Sequence, residues 1–223
     1  MDITVTMNNR LEFPDRFTRD IAEHQMEVIR DDDDCARHLR FKRPGTYNMG
    51  FDIITWPGHL CYTGDMGTYV FARVRDMMTF FRANPTGDPY RIDFRYWAEK
   101  VLASDKSDGL TEFCEEKFKS VIKGDLMQWT QDHRNSTTKE ERRDLWEAVD
   151  DILSTDDSDS GERRKAAAYD FSHRVNGSLT FSFSELWEHD FDQFTHRFLW
   201  CCHALEWAVR TYDAAKLEGI AAG

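Results

Sequence analysis

The 223-residue sequence lacks the spacing of a disulfide or zinc framework. Its five cysteines, Cys35, Cys61, Cys114, Cys201 and Cys202, are odd in number, form no CxxC pair and sit mostly among apolar neighbours. They read as reduced core thiols in a reducing compartment. No apolar run approaches the roughly 18–20 residues needed to cross a bilayer, and the opening MDITVTMNNR has no basic segment followed by an apolar one. A cytoplasmic protein without membrane contact is the expectation. No internal repeat is visible, no motif commits the chain to a reaction, and neither a cofactor nor enzyme activity is expected.

What is present is a composition that folds. Apolar residues make up 40% and aromatics 13%, with 7 Trp and 16 Phe, far from a disordered chain. The net charge of −12 is unevenly placed, about −10 on residues 101–223 against about −2 on residues 1–100. An acidic C-terminal half repels phosphate and attracts cationic protein surfaces.

Local patterns define the elements. Ile3, Val5 and Met7 alternate as in a short strand, and Pro14 opens a helix predicted over about 14–30 through Phe17, Ile21, Gln25, Val28 and Ile29. HLRFKRP sets Leu39 and Phe41 against His38, Arg40 and Lys42, a half-exposed basic strand. FDIITWPGHLCYTGDMGTYVFAR carries few charges. Pro57-Gly58 fits the centre of a type II turn and Gly64–Gly67 a second reversal, so Phe51–Trp56, His59–Thr63 and Thr68–Arg73 read as a buried antiparallel meander. Helical periodicity follows over Val74–Phe81, Phe94–Leu102, much of 110–133, a segment capped by Thr138 and Glu141, one ending near Asn176-Gly177, and a last helix over about 185–216. STDDSDSGE, 154–162, reads as a mobile acidic loop. The class is α+β: a small N-terminal antiparallel β-meander in 1–105 packed against a predominantly helical C-terminal part in 106–223, together one compact domain.

Candidate sites follow from charge. Arg37, His38, Arg40, Lys42, Arg43, Arg73 and Arg75, with Trp56 or Tyr62 for stacking, concentrate basic groups around one sheet and fit an acidic partner or a nucleic-acid backbone, unless Asp31–Asp34 or Asp76 neutralise them. Asp150, Asp151, Asp156, Asp157, Asp159 and Glu162 form the acidic counterpart. His189, His196 and His203 recur every seven residues, each near a carboxylate, and read as a polar seam on the last helix. His189, Asp192 and His196 are the weak metal candidate within it. The GDMG turn places Asp65 where phosphate would be repelled, and His59 and Cys61 diverge along one strand without an orienting third group.

HLRFKRPGT, the WPG block ending GDMGTYVFAR, and FLWCCHALEWAVRTYD resemble a family of proteins encoded by bacteriophages and prophages, over about 24–105 and 186–213. No catalytic residue can be carried over from it. What the resemblance implies is setting: a non-structural protein in the host cytoplasm that inhibits or redirects a host complex, such as a CRISPR or other anti-phage effector.

Overall fold

A computed structural model describes residues 14–32, 34–82, 92–106, 109–154 and 161–219. The expected strand at Ile3–Met7 and the carboxylates Asp156, Asp157 and Asp159 lie outside them, as does most of the expected loop. In chain order the elements begin with α1 (14–20), β1 (Gln25–Asp32), β2 (Ala36–Lys42), β3 (Phe51–Trp56), β4 (His59–Gly64), β5 (Gly67–Ala72), α2 (Met77–Phe81) and α3 (Phe94–Ala98). They continue with β6 (Val101–Ser104), β7 (Thr111–Phe113), α4 (Glu115–Asp132), α5 (Lys139–Ser154) and α6 (Glu162–Tyr169). β8 (His173–Arg174), β9 (Thr180–Phe181), a 3-10 turn at Leu186–Glu188, β10 (Asp192–Phe194) and α7 (His196–Leu217) complete the chain. The fold is α+β.

β1 to β6 form one antiparallel sheet in sequential order. Alternation decides its faces: Leu39, Phe41, Phe51, Ile53, Leu60, Tyr62, Tyr69 and Phe71 are buried on one side. His38, Arg40, Ile54, Cys61, Thr63 and Val70 are half-buried on the other. Gly58 supplies the positive φ of 83° that the tight β3–β4 turn requires. At Gly64 a side chain would meet the Gly50 carbonyl oxygen at 2.3 Å, so only glycine lets these backbones approach.

Contacts group the described residues into two units, Met1–Leu110 with Phe194–Gly223, and Thr111–Gln193. Sequence reading instead divides the chain at 105/106 and leaves the last helix with the helical part. α7 is grouped with the sheet because Phe198, Trp200, Cys201, Cys202, Leu205 and Val209 join the sheet's buried side chains in one core. Full burial of a Phe, Leu or Val side chain among them contributes roughly 1.5–3 kcal/mol. The second unit has its own core of Phe118, Ile122, Leu126, Leu145, Val149, Phe181 and Phe191.

Four element assignments need correction. The helix expected to reach residue 30 ends at 20, and Gln25–Asp32 is strand β1. There Met26 and Val28 pack on the core, and a bulge between Val28 and Arg30 leaves Ile29 outside. Residues 101–104 pair with β5 instead of extending α3. α6 stops at Tyr169, and Asn176-Gly177 belongs to the β8–β9 reversal, where the Asn176 side chain accepts from the backbone N–H groups of Ser178 and Leu179 at 3.0 Å. The last helix begins eleven residues late, at His196, capped by Thr195, whose Oγ1 accepts from the Phe198 amide at 3.2 Å. The expected box on α5 is present: Thr138 Oγ1 accepts from the Glu141 amide at 3.1 Å and Glu141 accepts from the Thr138 amide at 2.7 Å. Among the described residues no helix is long and apolar enough to cross a membrane.

Candidate functional site

The basic cluster resolves into ion pairs. Arg37 rises from β2 on the buried face, its side chain 9% exposed, and donates from Nη1 and Nη2 to Asp76 at 3.0 and 3.1 Å and from Nε to Tyr212 at 3.3 Å. Asp76 also caps α2, and Tyr212 belongs to α7, so one guanidinium ties the sheet to two helices. Asp31, its side chain 6% exposed, closes the network by accepting from Tyr212 at 2.8 Å and Lys216 at 2.7 Å. Burial alone would raise the Asp31 carboxyl, but these partners hold it below the ordinary range.

Arg40 meets the same fate across the strand. Asp52 lies directly opposite it on β3 and accepts from Arg40 Nε and Nη2 at 3.0 and 2.9 Å, from His38 at 2.7 Å and from Tyr47 at 3.2 Å. Arg43 pairs with Glu23 at 3.0 Å, Arg75 with Asp34 at 2.6 Å and Arg82 with Asp213 at 2.7 Å. Guanidinium forks closed on carboxylates have few donors left for phosphate. Of the expected basic residues, only Lys42 and Arg73 form no ion pair among the described residues. Trp56, 39% exposed, stacks on His59 at 5.1 Å and 9°.

Negative charge is concentrated elsewhere. Residues 111–193 hold 20 acidic side chains against 11 basic ones, a net −9 out of the chain's −12. On α5, Glu140, Asp144, Glu147 and Asp151 recur at intervals of four, three and four, which aligns them on one helix face. Arg143 pairs with Asp144 at 3.2 Å and Glu147 at 3.5 Å. Glu140 and Asp150 are exposed and pair with no cation among the described residues. Asp151 is also exposed, and Glu162 pairs with Lys165 at 3.2 Å.

The histidine set does not come together. His189 is exposed ahead of β10, Asp192 faces Lys165 at 3.4 Å, and His196 opens α7. Breaking the expected helix at Thr195 removes the face they were to share. No group of three metal-ligating side chains is found among the described residues. His203 is buried on α7, where desolvation pushes its imidazole down to about 4. Burial likewise raises the Cys61 thiol, the reverse of an activated nucleophile. Asp65 accepts from the Met49 amide at 2.9 Å, a turn contact.

Two exposed features escape the sequence pattern. Trp187 is 72% exposed in the 3-10 turn, and Met127, 61% exposed, lines a shallow groove of about 290 Å³ together with Thr130, Gln131, Arg134, Arg142 and Trp146. The sequence places Trp187 inside the start of the last helix, whereas in the structure it sits in a 3-10 turn between Leu186 and Phe191, both buried. No protein-family model, no curated protein and no solved structure matches the chain.

Proposed function

We propose that the chain is a non-enzymatic binding protein whose unit Thr111–Gln193 occupies a cationic surface on a partner protein. The observation that carries this reading is the separation of charge: the −9 unit leaves Glu140 and Asp150 on α5 without a cation partner among the described residues, whereas in the sheet unit Arg37, Arg40, Arg43, Arg75 and Arg82 close on that unit's own carboxylates. Cationic surfaces of this kind are what nucleic-acid-handling complexes present, and an acidic face meets them with a complementary field. Resemblance to phage-encoded proteins supplies the setting: a counter-defence inhibitor in the host cytoplasm, with anti-CRISPR activity as its most specific form.

The test mixes the purified protein with nucleic-acid-binding defence effectors and measures association at low and high salt. The expected complex weakens with salt, competes with oligonucleotide and is lost in Glu140→Lys, Glu147→Lys, Asp150→Lys. A complex indifferent to both salt and charge reversal contradicts the proposal. A second reading, nucleic-acid binding at the sheet, draws on the exposed Trp56–His59 stack with Arg73, which forms no ion pair among the described residues, following β5. It requires a labelled oligonucleotide to shift with the protein alone, and the shift to fall in Arg73→Ala.

A further inference from the structure

We infer that Trp187 is the anchor of the acidic unit's binding surface and that it takes an arginine side chain of the partner. This rests on the function proposed above and names the group recognised. Trp is a residue that folded proteins largely cover, yet Trp187 is 72% exposed. Among the described residues its ring stacks on no other ring and its indole N–H donates to no acceptor.

The turn that presents it is firmly seated. Leu186, immediately before it, is 2% exposed, and Phe191 is 5% exposed and meets Phe118 edge-on at 5.3 Å. Between them the Glu188 amide donates to the Glu185 carbonyl at 2.9 Å and the His189 amide to the Leu186 carbonyl at 3.2 Å. Phe191 is held in turn where its carbonyl accepts from the Cys114 amide at 2.8 Å. An indole on such a base loses little freedom on binding, the condition under which an aromatic residue becomes an interface hot spot.

Charge selects the occupant. Glu185, Glu188 and Asp190 flank the indole in sequence, are exposed, and pair with no cation among the described residues. An apolar ligand would leave these carboxylates beside it without compensation. A guanidinium satisfies both demands, because its plane stacks on an indole face while its N–H groups donate to carboxylates. Lysine offers the same charge without the flat stacking surface.

The experiment titrates the full chain with labelled hexa-arginine and hexa-lysine peptides at low salt, following fluorescence anisotropy. Hexa-arginine is expected to bind more tightly, and Trp187→Ala to weaken it by about two- to fivefold while changing hexa-lysine binding little, with Trp187→Phe in between. Glu188→Gln should weaken both peptides. Equal binding of the two peptides together with an unaffected Trp187→Ala overturns the anchor but leaves the acidic-surface reading standing. No binding of either peptide overturns both.

Discussion

Replacing Arg37 by methionine separates a structural role from a binding role for the basic cluster. The substitution retains an apolar stem of similar length and removes the fork that bonds Asp76 at 3.0 and 3.1 Å and Tyr212 at 3.3 Å. Asp31 retains Lys216 and Tyr212, so the carboxylate left without a charge partner is Asp76, 27% exposed and still capping α2. Removing one partner of a fully buried pair costs about 3–5 kcal/mol, and this partial exposure brings the expected cost to about 2–3 kcal/mol. Urea unfolding followed by circular dichroism reads it: with a slope of about 2 kcal/mol/M, the midpoint of the sheet unit falls by about 1 M. Asp76→Asn added to Arg37→Met should cost little more, since the two act as one pair. Arg73→Ala, which removes no ion pair among the described residues, should leave the midpoint unchanged. A midpoint for Arg37→Met equal to that of the parent would refute the assignment of Arg37 to the scaffold.

Other outcomes follow from single groups. His203 has its imidazole lowered by burial to about 4 from 6.5, so the unfolded chain binds its proton first as pH falls. Its contribution is whole above about pH 6.5 and is lost as pH falls toward 4, at most about 3 kcal/mol, so His203→Gln should flatten stability across that window in urea titrations. Cys201 and Cys202 are fully buried with thiols raised by desolvation, and should resist a thiol reagent in the native protein and react once urea unfolds it. Thr138→Ala removes the side-chain cap of α5, its hydroxyl bond from the Glu141 amide, for about 1 kcal/mol in thermal or urea unfolding of the second unit.

The sheet was legible where period and turn chemistry agreed. Leu39 and Phe41 alternate with charged neighbours, and Pro57-Gly58 and Gly64–Gly67 mark both reversals, so β2 to β5 fall where the pattern puts them. β1 was not legible because its bulge at Ile29 breaks the alternation into something close to a helical period. The spacing of Phe191 and Phe194 to Phe198 is helical, which extends the predicted last helix across Thr195, although Thr195 is a good N-cap. At the site, residue types were readable and partners were not. Arg40 and Asp52 are twelve positions apart and become neighbours only through strand register. The acids that neutralise Arg37 come from β1 and from the residue before α2, and the hydroxyl from α7. The net −9 of residues 111–193 needed only the boundaries of a unit to become meaningful.

The most direct test of the account is a two-dimensional NMR titration of the isotope-labelled chain with hexa-arginine at low salt. It predicts shift changes confined to Thr111–Gln193, strongest on α5 and on residues 185–190, and reversed by added salt. Changes centred on β2 to β5, or an unchanged spectrum, would contradict it.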